Sequence, residues 1–288
     1  MSAPAPLTRF ATPEDLVLQL KTLPPAPKVI LKLQQIAGNP DSSVDDLVAV
    51  IRLERALAAR IVRISNSAVY SLGNRCESIE ESVQRLGFSE VHHLALIVAG
   101  CEALSKPMPA YAIDSQSLWH QTIACALAAE YLATLTGEDE GQAYTAGLMH
   151  SIGMVVINAW AQTIAPGTTF VYQDAAAEWS NAERAMLGYD QSDAGAALLR
   201  TWDFPTPVVE AVRCQYAPQC ATNHRRLAAV LTGARWLRNK VCDPNSTSIP
   251  LPEKMTLLGL RLTQQQLDDC VPVVLNQLNE AKEALGAA

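Results

Sequence analysis

Residues 143–157 read Ala-Tyr-Thr-Ala-Gly-Leu-Met-His-Ser-Ile-Gly-Met-Val-Val-Ile. Ala143, Gly147, His150, Met154 and Ile157 recur at spacings of three and four, which predicts a helix over 140–160 with these residues turned inward. A glycine on that face lets a neighbouring helix approach closely. The one histidine of the stretch is followed by Ser151, whose neutral hydroxyl is a poor ligand for a hard divalent cation.

Working outward, a long helix opened by Asp114 or Ser115 ends at Gly137, a residue suited to a left-handed cap. On it His120 shares a stripe with Ala124, Leu127 and Tyr131, so inward histidines on consecutive helices are placed to meet. Taken alone, a histidine on an apolar face is more often a hydrogen-bonded core residue than a ligand, and stable metal sites want three or four ligands. Acids near at hand are Asp190 and Asp193, which read as the cap and the first turn of a helix 191–201.

Helical periodicity runs through the rest of the chain and no strand is expected, so the fold class is all-α. Prolines at 24, 25 and 27 lead a helix over about 26–37. Ser42 or Ser43 caps a short helix carrying Leu47, Val50 and Ile51 inward. Leu57, Ile61, Ile64 and Ala68 form the next apolar stripe. Ser78 caps a helix to Leu86, and Gly87 separates it from 89–104. Lys106-Pro107-Met108-Pro109 is the clearest loop of the first half. Later helices are expected at 174–187, 191–201, 206–216 and 224–240, then a polar linker at 243–252. In the tail, Leu267, Val271, Val274, Leu278, Ala281 and Leu285 form a seam interrupted by Pro272. It suits packing on its own domain, with a homodimer contact as the alternative.

The 288 residues suffice for one large domain or two modest ones, and 49% hydrophobic against 18% charged residues supports a sizeable core. A net charge of -7 argues against broad binding to nucleic acid or an anionic membrane, while leaving room for a local basic patch. The seven cysteines form no Cys-x-x-Cys pair, as expected of reduced, mostly buried thiols in a cytoplasm. No signal peptide and no membrane-spanning run is read. Dinucleotide-binding, P-loop and nucleophile-elbow motifs are absent. Arg52, Arg55, Arg60 and Arg63 fall on one side of a helix; they read as a solvated face, or as a docking patch for an acidic partner or a phosphate-bearing ligand.

Several segments, in order, resemble the HDOD domain family: Leu23-Pro24-Pro25-Ala26-Pro27 through Asn39-Pro40-Asp41, Arg60 through Tyr70, Ser78 through Gly87, Leu118-Trp119-His120, Ala146 through Gly153, Leu187 through Asp190, and Trp202 through Pro205. The resemblance covers roughly 20–220. It implies a bacterial signalling module related to HD-type metal-dependent phosphohydrolases. An N-terminal helical lobe (about 20–108) would pack on a degenerate HD-like lobe (about 112–220). Residues 1–19 would be an N-terminal extension, and 221–288 a helical extension packing on the HD-like lobe. Against the family's metal-binding pattern only His120 and His150 remain: Ser151 replaces the aspartate, Gln191 and Gln215 stand where histidines are usual, and Ala234 where a last aspartate would lie. Without anionic ligands nothing neutralises a dication or activates its water. The resemblance therefore implies a non-catalytic protein without metal or cofactor. It would act on a signalling partner, of a two-component or cyclic-di-GMP pathway, with Asn66, Tyr70 and the four arginines as docking candidates. A phosphohydrolase or phosphodiesterase with an altered site is one alternative. A nucleotide or second-messenger sensor using the vacated pocket is another.

Overall fold

The computed structural model describes residues 10–24, 26–37, 39, 41–70, 73–103, 107–170, 180–243, 257 and 259–286. Expected features at 1–9, 174–179 and 244–252 lie outside them. Among the described residues the regular structure is helical, with one isolated bridge between Met108 and Ile113. No described helix is long and apolar enough to cross a membrane.

The chain divides into two compact units, one of residues 26–103 with 272–288, the other of 1–25 with 104–271. These boundaries differ from those read in the sequence. The first residues group with the HD-like part, and the last seventeen group with the N-terminal lobe rather than wholly with the HD-like one.

The smaller unit contains α2 (Lys28–Ala37), α3 (Val44–Arg52), α4 (Arg55–Ser65), α5 (Ile79–Leu86) and α6 (Phe88–Ala103). Ser43 caps α3 in a full capping box with Asp46, and Ser78 caps α5. Leu33, Leu47, Ile51, Leu57, Ile61, Ile64 and Leu94 are buried. Ala68, expected to extend the stripe of α4, is exposed because the helix ends at Ser65 and a turn follows. From the chain's last helix, α14 (Gln264–Gly286), Val274, Leu278 and Ala281 are buried, and the helix runs on through Pro272.

The larger unit is built on α7 (Ser115–Thr136), α8 (Glu140–Met149), α9 (Ile152–Thr163), α10 (Ser180–Leu187), α11 (Gln191–Thr201), α12 (Thr206–Arg213) and α13 (Arg225–Cys242). α7 packs on α8 and α13, α9 on α11, and α1 (Pro13–Gln19) on α11. Asp114 caps α7, which Gly137 ends with φ 70°. The helix expected over 140–160 is in fact two, broken at His150-Ser151. There Ser151 leaves helical geometry (φ −103°, ψ 6°), and the His150 carbonyl accepts from the Gln215 side chain at 2.9 Å.

Glycines set how closely these helices meet. A Cβ on Gly147 would lie 2.6 Å from the Cα of Ala126 on α7. On Gly153 it would lie 1.7 Å from the backbone oxygen of Gln191 on α11. Both neighbours are backbone, so no side chain can yield. Gly153→Ala should therefore cost about 3 kcal/mol or more, overwhelming the gain in helix propensity of about 1 kcal/mol. Gly195→Ala, whose Cβ would meet its nearest atom at 3.1 Å, should cost clearly less. Urea denaturation of both variants checks the ranking, and equal midpoints would refute it.

Candidate functional site

The break between α8 and α9 places His150 and Ser151 inside the larger unit, both buried. His150 Nδ1 lies 2.7 Å from the Gly147 carbonyl, which can only accept, so Nδ1 carries the proton. Nε2 is then a lone pair, and it accepts from Arg238 Nη1 at 2.9 Å. Both ring nitrogens are thus engaged. Burial, and next the adjacent Arg238 cation, hold His150 well below the ordinary histidine pKa, so the ring is neutral.

Around this pair the other polar groups bond inward. The Gln215 amide NH2 donates to the carbonyls of His150 and Val212, each at 2.9 Å. The Gln215 backbone carbonyl accepts from Thr232 Oγ1 at 3.0 Å and Arg235 Nη1 at 3.1 Å. The Arg235 guanidinium also lies over the Tyr216 ring, 4.1 Å from its centroid, and the Tyr216 hydroxyl accepts from Gln191 Nε2 at 2.7 Å. Ser151 Oγ stands 3.5 Å from Thr122 Oγ1. The side-chain oxygens of Gln191 and Gln215 are buried with no partner among the described residues.

Of the positions expected to be relics of a metal site, His150 and Gln215 share a hydrogen-bonded group with Arg235 and Arg238, and Gln191 joins it through Tyr216, whose ring Arg235 covers. Ala234 is fully buried on α13, one turn before Arg238. His120 is half-buried on α7, its ring 5.2 Å from that of Trp119. The expected meeting of His120 with His150 is not made by a direct hydrogen bond, because both nitrogens of His150 are already taken.

Arg235 and Arg238 were missed. The signal was present: two arginines at i and i+3 in an otherwise apolar segment, one of them flanked by Ala234 and Trp236. Their presence bears directly on metal binding. The residues around His150 do not fit a dication. Its lone pair is occupied, the nearby Ser151, Gln191 and Gln215 are neutral, and two guanidiniums are close by. Repulsion between like unit charges 4 Å apart is about 4 kcal/mol for each pair at the effective dielectric of a protein surface. Among the described residues no group of three or more His, Cys, Asp and Glu side chains could hold a metal ion.

A second buried cluster lies beside the first. Glu183 accepts from the Tyr111 hydroxyl and from the Gln191 backbone N–H, each at 2.6 Å. Asp190 caps α11 in a capping box with Asp193, accepts from Ser192 Oγ at 2.5 Å, and pairs with Arg184 at 2.8 Å. Asp190 and Asp193 thus take the structural roles expected of them.

In the smaller unit, Arg52 pairs with Glu80 at 2.5 Å, both side chains substantially exposed. Arg55 and Arg63 are exposed and Arg60 partly so. Asn66, expected at a docking surface, uses its amide internally. It donates to the carbonyls of Val62 and Cys76 and accepts from the Cys76 N–H, each at 2.8 Å. The Tyr70 hydroxyl donates to Glu90 at 2.5 Å. Among the described residues, Cys76, Cys125, Cys214, Cys220 and Cys270 are free thiols.

These observations define an all-helical protein in which a break between two helices carries a histidine into a buried polar core. The HDOD domain family model matches residues 23–218, and the chain belongs to that family. It is 25% identical over 277 residues to an uncharacterized protein of Treponema pallidum, covering 91% of this chain and 53% of that protein. The chain thus spans about half the length of that curated relative. Among solved structures it resembles a provisionally named phosphohydrolase of Shewanella amazonensis (24% identity, TM-score 0.66, 94% of this chain and 97% of the other). It also resembles a provisionally named signal transduction protein of Marinobacter aquaeolei (24%, 0.68, 95% and 60%).

Glu183 gives this region a pH signature. Burial raises its pKa from 4.5 to about 7, against the opposing bonds from Tyr111 and Gln191. A raised carboxyl stabilises the fold fully below the unfolded pKa, and that contribution is lost as pH rises through the folded one. Glu183→Gln should therefore gain stability relative to the parent by about 3 kcal/mol between pH 4 and pH 8. Paired denaturation curves across that range check it. A constant difference between the two proteins would refute it.

Proposed function

We propose that this chain is a non-catalytic signal-transduction module that works by contact with a protein partner. The observation that supports it most is Arg238 donating to the lone pair of His150 at 2.9 Å, where a metal-dependent relative would need that nitrogen for its ion. Ser151 and Ala234 stand where the family pattern would have charge-neutralising carboxylates, Gln191 and Gln215 where it has histidines, and metal-assisted attack needs an ion that activates water. What remains is a polar core that joins the α8–α9 turn to α13 and the turn after α12. The name of the Marinobacter relative agrees with a signalling role, whereas that of the Shewanella relative favours hydrolysis. The partner would be a component of a bacterial two-component or cyclic-di-GMP pathway, meeting the exposed arginines of the N-terminal unit.

The protein purified without chelator should carry no stoichiometric manganese, iron, zinc or magnesium by elemental analysis, and should not hydrolyse bis-p-nitrophenyl phosphate with any of them added. Turnover that disappears in His150→Ala would establish the hydrolase reading instead. Ser151→Asp alone should gain no metal, because Arg238 still covers Nε2. Stoichiometric metal in that variant would contradict the proposal.

A further inference from the structure

Gln191 belongs to both buried clusters of the larger unit. Its backbone N–H donates to Glu183 at 2.6 Å, and its side-chain amide donates to the Tyr216 hydroxyl at 2.7 Å. The helix that carries Glu183 has few anchors. Of the eight side chains of α10, only Glu183 and Leu187 are buried. A helix so short does not persist in water by itself, so those two residues and a handful of polar bonds keep it in place.

The polar bonds run mainly to α11. Ser180 Oγ donates to Asp190 at 2.5 Å, and Arg184 pairs with Asp190 at 2.8 Å and with Asp193 at 3.2 Å. Arg184 is thereby committed elsewhere, and among the described residues no cation pairs with Glu183 itself. Its two oxygens accept instead from the Tyr111 hydroxyl and the Gln191 N–H. Tyr111, from the turn Pro109–Tyr111, is held in turn by stacking on Phe170, the rings 5.0 Å apart. Glu183 thus ties that turn, α10 and the start of α11 together at one fully buried carboxyl.

The titratable and charged groups around it are Tyr111, Arg184 on α10 itself, Asp190 and Asp193 on α11, and Tyr216 near Tyr111. Burial is the largest influence on Glu183 and holds its pKa at about 7; the bonds from Tyr111 and Gln191 oppose it, and Asp190 and Arg184 act more weakly in opposite senses. Exposed to water, the carboxyl would return to its ordinary range and give its proton to solvent. Opening of α10 therefore releases a proton, grows more favourable as pH rises, and levels off above the folded pKa.

We infer that α10 is a proton-controlled latch over the start of α11: loss of the Glu183 proton to water frees α10 from Tyr111 and Gln191, and Gln191 passes the change through Tyr216 to the polar core around His150. This concerns regulation and does not depend on the partner-binding reading.

Hydrogen exchange of the full chain, followed by mass spectrometry at pH 6, 7 and 8 and corrected for intrinsic rates, tests it. From pH 6 to pH 8 the protection of residues 180–191 should fall by about tenfold. Residues 214–217 should lose protection with them, while α7 should keep its own. Glu183→Gln, with no proton to lose in this range, should show no such fall, and Asp193→Asn should still show it. Constant protection of 180–191 in the parent, an equal fall in Glu183→Gln, or an equal fall throughout α7 would overturn the inference. Opening of 180–191 with 214–217 unmoved would overturn the link through Gln191. If Glu183→Gln does not fold, the parent and Asp193→Asn decide: a fall that vanishes in Asp193→Asn would assign the proton to Asp193 and refute the latch at Glu183.

Discussion

Backbone-to-backbone contact at two glycines governs the larger unit. With hydrogen alone at Gly147 and Gly153, α8 meets α7 and α9 meets α11 at distances no Cβ would allow. That closeness carries the turn between α8 and α9, with His150 and Ser151, into the interior. Once there, each polar group must find a partner inside the protein, because unpaired buried polar atoms are expensive. The orientation of His150, the inward fold of the Gln215 side chain, and the bond from Gln215 to the carbonyl at the break all follow from this confinement.

Confinement also explains why the buried histidine and the arginine belong together. A neutral imidazole buried with an unpaired Nε2 would be destabilising in the same way as any orphaned acceptor. Arg238 answers that need, and Arg235 is held in turn by the Gln215 carbonyl and the Tyr216 ring. The positive charge near His150 is thus covalently part of the chain and cannot be exchanged with solvent.

Much of the helical framework was readable because it rests on local rules. Ser43, Ser78, Asp114 and Asp190 cap helices, and Gly137 ends one, as their residue types and the periodicity around them indicate. The site was readable only in part. His150, Gln191 and Gln215 could be aligned with a family pattern, but the break at 150–151 depends on a side chain 65 residues away in sequence. Arg235 and Arg238 lie beyond the segments that resemble the family, on a helix where only Ala234 was matched to its pattern, so these two guanidiniums beside His150 were missed. The grouping of residues 272–288 with the N-terminal lobe was hidden for a similar reason. A seam of Val274, Leu278 and Ala281 shows that a face is buried without showing against what.

Asn66 deserves a last consequence, one of chemical ageing. Asparagine followed by serine is prone to deamidation, in which the next residue's backbone nitrogen attacks the side-chain carbonyl. Here that nitrogen already donates to Ile64 at 2.9 Å, while the side-chain amide is bonded on both sides to Cys76. The folded protein therefore withholds both reactants. A molecule in which the turn loosens exposes them, and the resulting aspartate would lack the NH2 donor needed to close the turn again. An excursion of that turn would leave a permanent mark, so the spacing of residues 66 and 76 protects the chain over time as well as in space.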